Sequence, residues 1–134
     1  MLRQYRDLLE RLAAVENELN RVRFERDRLV DQFDAAVQGY RLPMRLRRRS
    51  GGLLGWRNLA RNGRDQRDRD LIQYRNEMEE LPQSLRQELL RLEKQRILIN
   101  LNLSLLNHEA RQLRQAQEKI AASTTIREPD AVSI

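Results

Sequence analysis

The sequence predicts a mainly α-helical protein, in which two long heptad-patterned helices form a helical hairpin or coiled-coil scaffold and a basic β-hairpin or loop is inserted between them. Three observations lead there. Apolar residues recur at alternating three- and four-residue steps over residues 2–38 and again over 82–122, the period of helices that bury one stripe against each other. Between these stretches the pattern switches to a period of two around Gly51-Gly52, as strands around a tight turn do. The composition, 34% charged and 40% hydrophobic with 4% aromatic over 134 residues, suits a seam of Leu, Ile and Val between charged helices rather than a thick core or a disordered chain.

The first helix is expected over residues 2–38. Its stripe runs through Tyr5, Leu8, Leu12, Val15, Leu19, Val22, Arg26, Leu29, Phe33 and Ala36, with Leu9, Phe24, Val30 and Val37 widening it, and Gly39 is a natural stop. Over 40–60, Leu42, Met44 and Leu46 alternate with arginine, Ser50-Gly51-Gly52 is a turn signal, and Leu53-Leu54-Gly55-Trp56-Arg57 follows. These features predict a β-hairpin with Pro43 at a strand start or edge; the alternative is a disordered basic loop. Asn62-Gly63 and a run of alternating charges lead to a short helix over about 66–81, which Pro82 ends because the residue before a proline avoids the helical region. The second long helix is expected over 82–122 on Leu85, Leu89, Leu92, Arg96, Ile99, Leu103, Leu106, Ala110, Leu113, Gln117 and Ile120. Its centre, residues 97–106, is apolar nearly all round, which calls for burial on several sides. Residues 1–122 thus read as a single elongated domain and 123–134 as a flexible tail.

Charge is the most specific signal. The thirty residues from 35 to 64 hold no Asp, Glu, Lys or His but eight arginines, Arg41, Arg45, Arg47, Arg48, Arg49, Arg57, Arg61 and Arg64. The whole chain carries +6, so this segment alone is +8 and everything else sums to −2. Arginines alternating with apolar residues on a hairpin place guanidinium groups on one face and apolar side chains on the other. Such a ribbon suits a nucleic-acid groove, or a single strand if Trp56 is a stacking platform. The competing readings are an acidic protein partner, and a solvated loop in which Trp56 belongs to the core.

Catalysis is poorly supplied: there is no cysteine, one histidine (His108), no phosphate-loop glycine pattern and no metal-ligand spacing, so no enzyme activity, cofactor or metal is expected. Arg26 and Arg96 stand on seam positions where an apolar residue is expected. An unpaired buried guanidinium is costly, so each should meet a carboxylate such as Glu25, Asp27, Glu93 or one across the interface, or snorkel to the edge, and could set register as polar seam residues do. Asn100, Asn102 and Asn107 could serve the same purpose. No apolar run reaches membrane-spanning length and the N-terminus is polar, so a cytoplasmic protein is expected. The wide apolar stripes exceed what one helix pair covers, which points to a homodimer or a larger partner.

The segment Leu81-Pro82, Leu85-Arg86, Leu89 and the run from Leu92 through Glu93, Gln95-Arg96-Ile97 and Asn100 to Leu105-Leu106 resembles an uncharacterised family encoded on integrating conjugative elements of proteobacteria. Leu42-Pro43, Gly51-Gly52 and Gly55-Trp56-Arg57 are similar to that family's Leu-Pro and Arg-Trp-Arg motifs, with Gly55 in place of the first arginine and a charge run in place of the small-residue segment that follows. His108 corresponds to a histidine after the Leu-Leu pair, displaced by one. The resemblance covers residues 40–120 and implies a mobile-element setting, with no assigned reaction. The reading is a non-enzymatic nucleic-acid-binding accessory protein, DNA before RNA, held by Arg41, Arg45, Arg47, Arg48, Arg49, Trp56, Arg57, Arg61 and Arg64. The alternative is a helical adaptor or inhibitor that docks its basic segment on a partner protein.

Overall fold

The computed structural model describes residues 2–58 and 71–132, and the side chains of all of these except 58, 72, 73 and 124–132. The element order is α1 (Leu2–Ala36), β1 (Met44–Arg48), β2 (Leu54–Asn58), a 3-10 turn (Leu71–Tyr74), α2 (Arg75–Glu79) and α3 (Gln83–Val132). The protein is mainly helical, with two long helices packed against each other and one two-stranded antiparallel sheet between them in sequence. The chain divides into two compact units, Val22–Leu103 and Met1–Arg21 with Ser104–Ile134. Among the described residues, no helix is long and apolar enough to cross a membrane.

In the unit Val22–Leu103 the heptad stripes do the burying they predict. Val22, Leu29 and Phe33 from α1 and Leu89, Leu92 and Ile99 from α3 are buried. The hairpin adds the largest side chain of the core, Trp56, with Met44, Leu46 and Leu54, all at 0% exposure. Each such side chain contributes about 1.5–3 kcal/mol by leaving water. Helix α1 closes where expected: Gly39 takes φ +88°, and the Tyr40 N–H donates to the Val37 carbonyl at 2.9 Å. That positive φ suits glycine, which has no Cβ to clash. The connection into α3 is anchored by the buried Leu71, Tyr74 and Met78.

In the other unit, Leu12, Val15 and Leu19 of α1 and Ala110 and Leu113 of α3 are buried. Glu16 and Arg114 join the two helices at 3.1 Å. Both partners are about half exposed, so that pair fixes alignment more than it stabilises.

Three expectations change. The short helix expected over 66–81 is a 3-10 turn followed by the five-residue α2, and residues 66–70 lie outside the described residues. Helix α3 continues past residue 122 to Val132, where a flexible tail was expected; the sequence from Ser123 lacks apolar periodicity but has no glycine to break a helix before Pro129. The centre of α3 is not buried on several sides: Ile97, Leu98, Leu101 and Leu105 are 53–60% exposed. Only the Ile99 and Leu103 stripe meets the core.

Candidate nucleic-acid interface

The hairpin forms because the sequence meets both requirements of an antiparallel ribbon. Its turn uses Gly51 and Gly52 at φ +92° and +91°, conformations that residues with a Cβ rarely adopt. The turn closes with the Arg49 N–H donating to Leu53 O at 2.6 Å and the Gly52 N–H to Arg49 O at 3.0 Å. Its strands pair in one register, Met44 with Asn58, Arg45 with Arg57, Leu46 with Trp56, Arg47 with Gly55 and Arg48 with Leu54. Because successive side chains point to opposite faces, Met44, Leu46, Leu54 and Trp56 share the buried face, while Arg45, Arg47, Gly55 and Arg57 share the other.

Polar residues on the two helices hold the hairpin's backbone, and this explains the arginines on the helical seams. Arg26, 5% exposed, donates through Nη1 to Gly52 O at 2.8 Å and through Nε to Asp27 Oδ1 at 2.9 Å. A Cβ on Gly52 would sit 3.2 Å from that Nη1, so the glycine supplies room as well as a turn. Arg96 donates to Glu93 through Nε at 2.9 Å and reaches Leu54 O through Nη1 at 3.3 Å. Asn100 takes both backbone groups of Leu54: its Oδ1 accepts from Leu54 N at 2.8 Å and its Nδ2 donates to Leu54 O at 2.8 Å. The amide thus occupies the place of one more strand residue and closes the outer edge of β2, which would otherwise present unpaired groups. Arg26 and Arg96 do meet carboxylates, Asp27 and Glu93, and each also bonds a carbonyl of the hairpin.

Trp56 requires a correction. It is fully buried, packs edge-on against Phe33 with ring centroids 5.2 Å apart at 72°, and donates its indole N–H to Glu93. A tryptophan enclosed in this way has no face for a base, so the expected stacking platform is a core residue. Its cross-strand partner is Leu46, and the period of two puts it on the apolar face for the same reason that it puts Arg57 on the other.

The arginine face is the remaining candidate. Arg41, Arg48, Arg49 and Arg57 are exposed, and Arg45 and Arg47 are partly so. Arg47 donates to Asp34 Oδ1 of α1 at 3.0 Å and to Leu46 O at 2.8 Å; both members of that ion pair are more than a third exposed, so it is weak. Arg45 donates to Met44 O at 3.2 Å. Tyr40, 40% exposed, stands at the head of the segment. Arg61 and Arg64 lie outside the described residues. The hairpin brings Arg45, Arg47 and Arg57 together on one face.

Sequence reasoning missed Glu93 as the Trp56 acceptor and Asp34 as the Arg47 partner. Glu93 was legible only as the residue three before Arg96, and Asp34 only as the acid that closes α1 ahead of the arginine segment. No family model, no curated protein and no solved structure matches this chain.

Proposed function

We propose that this chain is a non-enzymatic nucleic-acid-binding protein that grips the backbone of duplex DNA with the outer face of its hairpin. The observation that carries the reading is the segregation of the ribbon: one face fully buried on the helices, the other bearing Arg45, Arg47 and Arg57, with Arg41, Arg48 and Arg49 exposed beside it. A two-stranded ribbon fits the major groove of B-DNA, whereas the deep major groove of A-form RNA admits side chains poorly. Burial of Trp56 removes the largest aromatic of the segment as a platform for an unpaired strand and leaves Tyr40 alone at its head. What remains is charge, which suits phosphates and confers little sequence preference. The mobile-element setting is proposed on the sequence resemblance alone.

We further propose that the protein works as a homodimer. Leu90, Ile97, Leu98 and Leu101 on α3 are 52–59% exposed, and clustered apolar side chains of this size favour a protein contact over water. The alternative function, docking on an acidic protein partner, draws support from Arg47, which already takes a carboxylate from Asp34. The two readings separate by salt titration of binding to a random-sequence duplex. Phosphate contacts give a steep, linear dependence of log affinity on log salt, while absence of duplex binding at low salt favours the protein partner.

A further inference from the structure

We propose that Arg45 and Arg57 act as one pair that takes a single phosphate group of the nucleic-acid backbone, an inference that rests on the reading above. The hairpin register sets these two residues directly opposite each other, and side chains so placed leave the backbone only about 4.5–5.5 Å apart. Both leave from the face opposite Leu46 and Trp56. Two like charges in that relation repel each other, and native sheets avoid the arrangement unless something offsets it. Among the described residues, no ion pair joins either one to a carboxylate; the side chain of Arg45 reaches the carbonyl of Met44 at 3.2 Å. Arg47, on the same face, is satisfied differently, by one carboxylate from Asp34 at 3.0 Å.

The fourth position of the face is Gly55, opposite Arg47. A glycine within a strand packs nothing and weakens it, and often marks a place where something must come close. Here Gly55 is itself buried and adds no side chain to the outer face, which leaves Arg45 and Arg57 flanked there by Arg47 alone. A phosphodiester has two unesterified oxygens projecting in different directions from a tetrahedral centre. Two guanidinium forks approaching from opposite strands can each take one of them, with charge-assisted bonds stronger than neutral ones. A planar carboxylate presents both oxygens to one side and is served by one arginine, as Asp34 is by Arg47.

The test uses the full chain, a 24-base-pair random-sequence DNA duplex, and the slope of log affinity against log salt for the natural protein, R45A, R57A, the double variant and R41A. A phosphate shared by two arginines remains neutralised when one is lost. Either single variant should therefore bind roughly tenfold more weakly at every salt concentration yet keep the natural slope. The double variant should lose about one unit of slope. If each single variant loses about one unit and the double about two, the arginines hold separate phosphates and the pair is overturned while duplex binding stands. If the natural protein does not bind the duplex at low salt, both the pair and the duplex reading fall. R41A serves as the comparator, and unchanged Trp56 fluorescence in every variant verifies that the hairpin stays docked.

Discussion

Replacing Asn100 by Ala removes the clamp that joins α3 to the outer edge of the hairpin, and its cost can be worked from the geometry. Leu54 is fully buried, so water cannot replace the amide. Its N–H, bonded to Asn100 Oδ1 at 2.8 Å, would be left without an acceptor, at about 1–3 kcal/mol. Its carbonyl, bonded to Asn100 Nδ2 at 2.8 Å, would keep only the longer bond from Arg96 at 3.3 Å, a further loss of about 0.5–1 kcal/mol. Alanine's better helix propensity returns roughly 0.5 kcal/mol. The net destabilisation is about 1–3.5 kcal/mol. Trp56 is the only tryptophan and lies beneath the clamped strand, so its fluorescence during urea unfolding reads the docking directly, while circular dichroism follows the helices. The unfolding free energy read by fluorescence should fall by that amount, with native helicity retained before the transition. A loss under about 0.5 kcal/mol would mean that Asn100 does not hold Leu54.

Trp56→Ala should lower stability by about 3–5 kcal/mol, as removal of a buried aromatic does, and Trp56→Phe by less; equilibrium unfolding checks both, and Trp56→Phe with unchanged stability but weakened duplex binding would contradict the core assignment. Asp34→Asn should change stability by under about 1 kcal/mol and raise duplex affinity by releasing Arg47, measurable by fluorescence anisotropy; reduced affinity would show that the ion pair positions Arg47 for binding. The side-chain hydrogen bonds from Arg21 and Arg91 hold the carboxyl groups of Glu18 and Glu88 below the ordinary glutamate range. Their depressed folded-state values mean that the stabilisation is present above about pH 4.3 and is lost as pH falls through the lower, folded-state values, so Glu88→Gln should make the acid limb of a thermal-stability profile shallower; an unchanged limb would refute the assignment. Sedimentation equilibrium at tens of micromolar should give twice the chain mass, and Leu98→Glu with Leu101→Glu should return it to the monomer; a monomeric natural protein would overturn the homodimer.

The first long helix is legible because a ten-position heptad pattern leaves few alternatives: Leu12, Val15, Leu19, Val22, Leu29 and Phe33 are all buried at the positions the period assigns. The hairpin was legible from its alternation and its paired glycines, although Arg48 at the strand end follows the turn into solvent rather than the buried face its parity gives. The role of the seam arginines was half legible. An arginine on an apolar stripe announces a buried partner, but sequence cannot show that the partner is a carbonyl twenty-six residues away, as Gly52 is from Arg26. Trp56 was ambiguous for a physical reason: a tryptophan beside arginines serves a core and a stacking platform equally well, and only the register with Leu46 decides between them. The exposed stripe on α3 was anticipated as excess apolar surface, but periodicity names the face and not what covers it.

The central claim is tested most directly by measuring the affinity of the full chain for a random-sequence DNA duplex between low and moderate salt. With about four arginines of the hairpin segment on phosphates, the slope of log affinity against log salt should be roughly −3 to −5. Replacing Arg45, Arg47, Arg48 and Arg49 together by Ala should flatten it while helicity is unchanged. Binding that does not respond to salt, or no binding by the intact protein at low salt, would contradict the account.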